Sequence, residues 1–494
     1  MNYISTRDKN VKVSASHAIA QGISKEGGLF VPEEIPLLSS ADFEYLKGVD
    51  YVERAAFILK KYLTDFTEEE IYACVKGAYT DTFDNNVPAP IKKIANGTNI
   101  LELWHGPTCA FKDLALQLLP YLLTTSAKKV SGGKETIILV ATSGDTGKAA
   151  LEGFCDVENT KIIVFYPNDG VSAMQKLQMD TQKGKNVCVC AIVGNFDDAQ
   201  TGVKKIFTDK SAAEKLSENN MQFSSANSIN WGRLVPQIIY YISAYCDLMA
   251  AGEDLTDGFN VVVPTGNFGN ILAAYYAKVM GAPINKLICA SNANNVLTDF
   301  INTGVYDRNR RFFTTISPSM DILISSNLER MLFELCGRNA DTVAALQNQL
   351  SVNGKYKISQ ELHSKFTELF FGGCCDDLAT KQTIAKYFNE QSYLCDTHTA
   401  VALNVYDKYV ETAKDTRVTV VASTASPYKF ATSVLDALGV EIPKGEFETV
   451  KKLSAVSSTE IPSPLAALEN AEPRFNNICD KNDMVNFVFN TLGI

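Results

Sequence analysis

Two kinds of apolar spacing divide the chain. Over residues 15–22, 43–62 and 68–79, apolar positions recur at helical intervals, which predicts helices with one buried face. Thr67 stands directly before Glu68, Glu69 and Glu70, a hydroxyl and acids that predict a capped helix start. Gly27-Gly28-Leu29-Phe30-Val31-Pro32 predicts a turn into a short extended segment. From about residue 98 the pattern changes. Short, β-branched apolar runs at 136–141, 161–166, 186–192, 260–263 and 417–422 alternate with helical stretches such as 148–155, 234–249 and 271–280. This predicts an α/β fold with largely parallel sheets. In such folds ligands bind beyond the C-terminal ends of strands, against helix N-termini.

Length and composition set the scale. A chain of 494 residues with 46% hydrophobic content exceeds one ordinary core, so two or three domains are expected. The expected division is an α-rich N-terminal domain over 1–90 and a catalytic region over 91–494. Within the latter, a large domain takes about 91–130 and 256–445, and a small domain about 131–255; a polar, helical, peripheral tail follows over about 446–494. The net charge of −10 argues against a nucleic-acid groove, while leaving room for a local basic pocket. Twelve cysteines are scattered without a CxxC pair, which suggests a reducing compartment. None of the four histidines pairs at i, i+4, so no local zinc motif is present and no metal is expected. With neither an apolar leader nor a run long enough to span a bilayer, a cytoplasmic protein without membrane partners is expected.

Five segments carry candidate chemistry. Lys112 follows a Gly-Pro-Thr turn in His105-Gly106-Pro107-Thr108-Cys109-Ala110-Phe111-Lys112-Asp113. Phe111 and the apolar run after it suggest a partly buried helix start, where a lysine has a lowered pKa and becomes a nucleophile. Taken alone, it reads by default as an ordinary surface lysine beside Asp113. Gly266-Asn267-Phe268-Gly269-Asn270 lies between a strand and a helix. Its glycines let backbone N–H groups face an anion at the helix dipole, although a plain turn would look the same. It matches neither a Walker A loop nor GxGxxG, so ATP and NAD are not indicated. Thr142-Ser143-Gly144-Asp145-Thr146-Gly147 offers hydroxyls and helix-start amides for a substrate carboxylate, or merely an N-cap. Thr424, at the end of the 417–422 strand, can present a neutral hydroxyl to a heterocyclic nitrogen. Arg233, after Asn227-Ser228-Ile229-Asn230, is either a phosphate clamp or a solvated or salt-bridged arginine.

Together these segments resemble the threonine synthases of the yeast and enterobacterial branch. The Lys112 segment looks like that family's Schiff-base segment, 142–147 its substrate loop, and Gly266 to Asn270 its cofactor-phosphate loop. Asn227-Ser228-Ile229-Asn230 with Arg233 and Gln237, Ser317-Pro318-Ser319-Met320-Asp321, and Ser5-Thr6-Arg7 with Gly27 to Pro32 also fit. Lys429 lies in a stretch that varies in the family and is expected to be structural. The resemblance implies pyridoxal-phosphate fold type II, as in tryptophan synthase β-chains: two open, mostly parallel sheets flanked by helices, plus the N-terminal domain. It implies pyridoxal 5′-phosphate held by Lys112, by Gly266, Asn267, Phe268, Gly269 and Asn270, and by Thr424 at the pyridine nitrogen. It further implies a lyase that turns O-phospho-L-homoserine and water into L-threonine and phosphate, as a monomer or homodimer, with Lys112 as the catalytic base. Thr142, Ser143, Asp145 and Thr146 are then candidates for the substrate's carboxylate end, and Asn230 and Arg233 for its phosphate. A phospho-lyase releasing 2-oxobutyrate and ammonia would share the site. An inactive binding protein on the same fold is the alternative from another class.

Overall fold

The computed structural model describes residues 1–142, 144–168, 171–194 and 196–494. Its frame is two largely parallel sheets whose inner strands are mostly buried, while the edge strands Ile91–Lys93 and Asn477–Asp480 are exposed or half-buried at most positions. One has six strands in the order Phe370–Cys374, Ile284–Ser291, Phe259–Pro264, Thr419–Ser423, Asn99–Glu102, Ile91–Lys93. All its pairs are parallel except the last, which is antiparallel at the edge. The other has five parallel strands in the order Asn477–Asp480, Val187–Val193, Thr160–Pro167, Glu135–Ala141, Met221–Ser224. Runs such as Phe-Asn-Val-Val-Val-Pro and Glu-Thr-Ile-Ile-Leu-Val-Ala suit these positions, because helices cover both faces.

The first 80 or so residues pack against two helices, Leu119–Val130 and the long Trp231–Ala250. A three-stranded antiparallel sheet sets Tyr3–Ser5 between Lys12–Val13 and Phe30–Pro32. Trp231 is its anchor, with the rings of Tyr3, Tyr62 and Tyr276 at 5.5, 5.6 and 5.7 Å. Arg54 reaches Asp247 at 2.6 Å, and Arg7 pairs with Glu329 at 2.6 Å.

Local chemistry explains most element ends. Thr67 and Glu70 form a reciprocal capping box at the start of Glu68–Tyr79. The single helix expected over 43–62 is two helices, Ser40–Lys47 and Tyr51–Tyr62. The chain breaks at Gly48, and Asp50 caps the second helix by accepting from Glu53 N at 2.9 Å. The tail also departs from expectation: Asn477–Asp480 is an edge strand beside Val187–Val193. Met484, Val488 and Leu492 of the following helix bury themselves on the same sheet. No helix among the described residues is long and apolar enough to cross a membrane. All twelve cysteines are free.

Candidate active site

Residues from distant parts of the chain converge on Lys112. The segment before it is zipped to the end of a distant strand. Phe111 N donates to Thr424 O at 2.9 Å, Ser426 N donates to Cys109 O at 3.1 Å, and Ala110 bridges Ala425. Lys112 then opens the helix Lys112–Leu116. Asp113 does not touch the lysine. Its carboxylate accepts from Thr108 N at 2.8 Å and from the Thr108 hydroxyl, closing the turn that precedes Lys112. Burial pushes the Asp113 carboxyl up to about 6, with these bonds opposing it.

Lys112 Nζ lies 3.6 Å from Asp145 Oδ2, 3.4 Å from Ser319 Oγ and 4.9 Å from the centre of the Phe111 ring. Burial lowers its pKa, as the sequence predicts for a nucleophilic lysine; Asp145 opposes that, while the charges of Lys429 and Arg233 add to it. Asp145 is not a side-chain cap for the helix Asp145–Gly153. Its other oxygen, Oδ1, lies 2.6 Å from Lys429 Nζ and accepts from Gln175 Nε2 at 3.0 Å. Burial alone would raise this carboxyl, but Lys429 and Lys112 hold it well below the usual carboxylate range.

Ser319 completes this corner. Its hydroxyl donates to Asp145 Oδ2 at 3.3 Å, and its backbone N–H donates to His398 Nε2 at 3.1 Å. A backbone N–H can only donate, so Nε2 is the acceptor and the proton sits on Nδ1, which faces Asp396 Oδ2 at 2.7 Å. Gln175 and His398 lie in the first turns of the helices Ala173–Asp180 and Thr397–Ala413, and Ser319 and Lys429 in the short helical turns Pro318–Met320 and Pro427–Phe430. Nothing local in the sequence gives Gln175 or His398 a role, and Lys429 is more than a scaffold residue, being the buried counter-ion of Asp145.

Beside this corner, the loop 266–270 leads into the helix Gly269–Val279. Phe268 is buried with φ +64°, which turns the chain sharply into the helix. Gly266 passes so close to the Ser319 turn that a Cβ would stand 2.7 Å from Ser319 O. Asn270 Oδ1 accepts from Tyr240 OH at 2.9 Å and from Tyr241 OH, while its buried Nδ2 has no partner among the described residues. Asn267 is held through its carbonyl, which accepts from Asn327 N at 3.0 Å. Thr424 is buried, and its hydroxyl makes no hydrogen bond among the described residues.

The remaining candidates separate. Arg233 is buried; Nη1 donates to Ala226 O, Nε has no partner, and no carboxylate pairs with it among the described residues. Burial lowers it to about 10. Asn230 is committed to scaffolding. Its Nδ2 donates to Ile19 O and Ser225 O, each at 3.0 Å, and its Oδ1 caps Gly232 N at 2.9 Å, leaving no donor for a ligand. Thr142 Oγ1 accepts from Gly144 N at 3.0 Å and Gly147 N at 2.9 Å, so it shapes its own loop. Gly144, at φ +138°, is packed so tightly that a Cβ would meet the Gln175 side chain at 2.4 Å. Thr146 is half-buried, with no hydrogen bond to its hydroxyl among the described residues. Ser143 lies outside the described residues. No cluster of three potential metal ligands occurs among them.

Three family models cover most of the chain. "Threonine synthase N terminus" matches residues 2–79, "Pyridoxal-phosphate dependent enzyme" 97–354, and "Threonine synthase, C-terminal" 399–488. The threonine synthase of Pseudomonas aeruginosa is 34% identical over 474 residues, which is 96% of this chain and 95% of that one. The chain belongs to the threonine synthase family. Threonine synthase-like 1 of Homo sapiens is 41% identical over 458 residues, covering 89% of this chain and 61% of that protein. The match thus spans about 61% of the length of such relatives. Among solved structures, the PLP-bound threonine synthase of Brucella melitensis superposes with a TM-score of 0.87 at 36% identity, covering 99% of this chain and 98% of that one. The fold is that of the type II pyridoxal-phosphate enzymes, and pyridoxal 5′-phosphate is the cofactor of this threonine synthase family member. The residues present fit it: a desolvated lysine amine, an unpaired amide at a helix N-terminus, and on the buried residue Thr424 a hydroxyl with no partner among the described residues.

Proposed function

We propose that the chain converts O-phospho-L-homoserine and water to L-threonine and phosphate. The observation that carries this reading is the pairing of Lys112 with a second, separate cationic site. Arg233 is buried, free of any carboxylate among the described residues, and close enough for its charge to depress the Lys112 amine. A cofactor alone needs one phosphate grip; a phosphorylated substrate needs another.

In this reading Lys112, Gly266 to Asn270 and Thr424 hold the cofactor. Pyridoxal 5′-phosphate supplies an electron sink for the bonds at the substrate's α-carbon. Lys112 Nζ, once free, removes the proton at Cα and transfers protons at Cβ, staying tethered beside the same carbon chain. Ser319 Oγ and Asp145 Oδ2 orient that amine. Arg233 grips the leaving phosphate with its unpaired Nε. Asn230 serves by fixing the start of the Arg233 helix. Thr142 holds the 142–147 loop, so that Ser143, Thr146 and the helix-start amides take the substrate carboxylate. Asp145 keeps the lysine in place and is itself held by Lys429.

A lyase that ends in 2-oxobutyrate, ammonia and phosphate would use the same residues, and the higher identity to threonine synthase-like 1 makes product identity the deciding measurement. The purified protein is incubated with O-phospho-L-homoserine, and phosphate, threonine and 2-oxobutyrate are quantified. Phosphate and threonine in equal amounts, both abolished by Lys112→Ala, support the proposal. 2-Oxobutyrate in place of threonine assigns the lyase, and no phosphate release removes the substrate assignment.

A further inference from the structure

Asn327 lies in none of the sequence motifs described above, yet its side chain is fixed and unfinished. It is fully buried. Arg330 Nη1 donates to its Oδ1. A guanidinium has no acceptor, so the atom it meets is the carbonyl oxygen and the amide can point only one way. Asn327 Nδ2 is thereby left as a buried donor with no partner among the described residues. It lies 3.5 Å from where a Cβ on Gly269 would stand, and Gln237 Nε2 lies 3.6 Å from the same place. Both therefore face the first turn of the helix Gly269–Val279, where Asn270 Nδ2 is also unpaired. Unpaired buried donors are costly, and two of them on one helix N-terminus ask for an anion with several acceptor oxygens.

The geometry points to Asn327 as a ligand of a phosphate monoester, the cofactor's own, with Arg330 as its positioning residue. Arg330 suits this task. It is buried, donates through Nε to Phe30 O at 3.0 Å and through Nη2 to Ile229 O at 2.6 Å, and pairs with no carboxylate among the described residues. Its charge is left to favour a dianion nearby. Phe30 belongs to the N-terminal sheet, so Arg330 ties that sheet to the Asn327 side chain.

The inference rests on the proposed placing of the cofactor phosphate at 266–270. The test uses the full chain stripped of cofactor, titrated with pyridoxal 5′-phosphate and separately with pyridoxal, following tryptophan fluorescence. Asn327→Ala and Asn327→Asp are expected to weaken pyridoxal 5′-phosphate about 10–100-fold, the worth of a buried hydrogen bond to a charged group, while changing pyridoxal less than about twofold. Arg330→Met is expected to narrow the same ratio of affinities; if it does not fold, the Asn327 variants decide. Wild-type affinity for pyridoxal 5′-phosphate in both Asn327 variants overturns the inference, as does an equal loss for both compounds. Unchanged cofactor affinity with a raised KM for O-phospho-L-homoserine gives Asn327 to the substrate's phosphate instead and also overturns it. If the wild type binds pyridoxal as tightly as its phosphate, the placing of the phosphate at 266–270 is what fails, and the inference falls with it.

Discussion

Lys429 Nζ lies 2.6 Å from Asp145 Oδ1, both groups are buried, and the other oxygen of that carboxylate lies 3.6 Å from Lys112 Nζ. One carboxylate is thus shared by two lysines, and both bear on the charge of the Lys112 amine.

Lys429→Met removes a neighbouring positive charge from Lys112 and should raise its pKa. Capture of pyridoxal 5′-phosphate requires the neutral amine, so its pH midpoint should move up in Lys429→Met and down in Asp145→Asn. Breaking a buried pair should also cost Lys429→Met about 3 kcal/mol in urea unfolding. Absorbance of the bound cofactor against pH checks the first claim; midpoints that shift the same way in both variants would refute it.

His398→Ala removes the acceptor for Ser319 N and frees the turn that carries the Ser319 hydroxyl. Turnover should fall about tenfold or more, as expected when a positioning contact near the reacting atoms is lost. Cofactor binding should change far less, because His398 acts on the lysine's neighbour. Steady-state kinetics beside a cofactor titration separates the two effects, and an unchanged kcat defeats the prediction.

Gly266→Ala places a methyl group 2.7 Å from Ser319 O, against backbone that cannot swing aside. The 266–270 loop and the Ser319 turn must part by a few tenths of an ångström. Cofactor affinity should drop at least roughly tenfold, since hydrogen-bond donors at a helix start act over a short range. An equilibrium titration of cofactor-free protein reads this directly, and affinity equal to wild type would count against it.

His105 stacks on Trp104 and faces Glu102 Oε2 at 3.0 Å and Asp84 Oδ2 at 3.3 Å. Burial pushes its pKa down, but the two carboxylates more than offset this and leave it raised. A raised folded-state pKa adds stability that is fully present below the unfolded value of about 6.5 and is lost as pH rises through the folded value. The melting-temperature gap between wild type and His105→Gln should therefore be largest near pH 6 and shrink toward pH 9. A gap that widens with pH would contradict it.

The sequence makes local features visible and hides those made by distance. Glu68–Tyr79 is foreseen to the residue, because its cap and its apolar stripe lie within one stretch. The split at Gly48 is missed because the apolar period runs on across it. The tail strand Asn477–Asp480 is missed because a four-residue edge strand with polar ends has no apolar run. Among the candidate site residues, Lys112, 266–270 and Thr424 stand out in the sequence through their turn chemistry. The role of Asp145 does not: as a helix-start acid it looks like a cap, and its true partner Lys429 arrives on a distant helical turn. Arg233 and Asn230 sit in one motif, but only Arg233 retains an unpaired group; helix capping and the Ile19 carbonyl use up Asn230.

The bond from Lys429 Nζ to Thr108 O, at 2.9 Å, joins residues 321 positions apart. The same zipper sets Phe111 against Thr424. A ribosome adding roughly 5–20 residues per second exposes the reactive lysine about 15–60 s before the strand that completes its pocket. During that interval Asp145 is already made, but Lys429, which holds that carboxylate, and the segment that closes over the amine are not. On the proposed reading, cofactor capture is therefore a late event in the making of this molecule, and a chain cut short before residue 424 would carry Lys112 without the segment zipped to it.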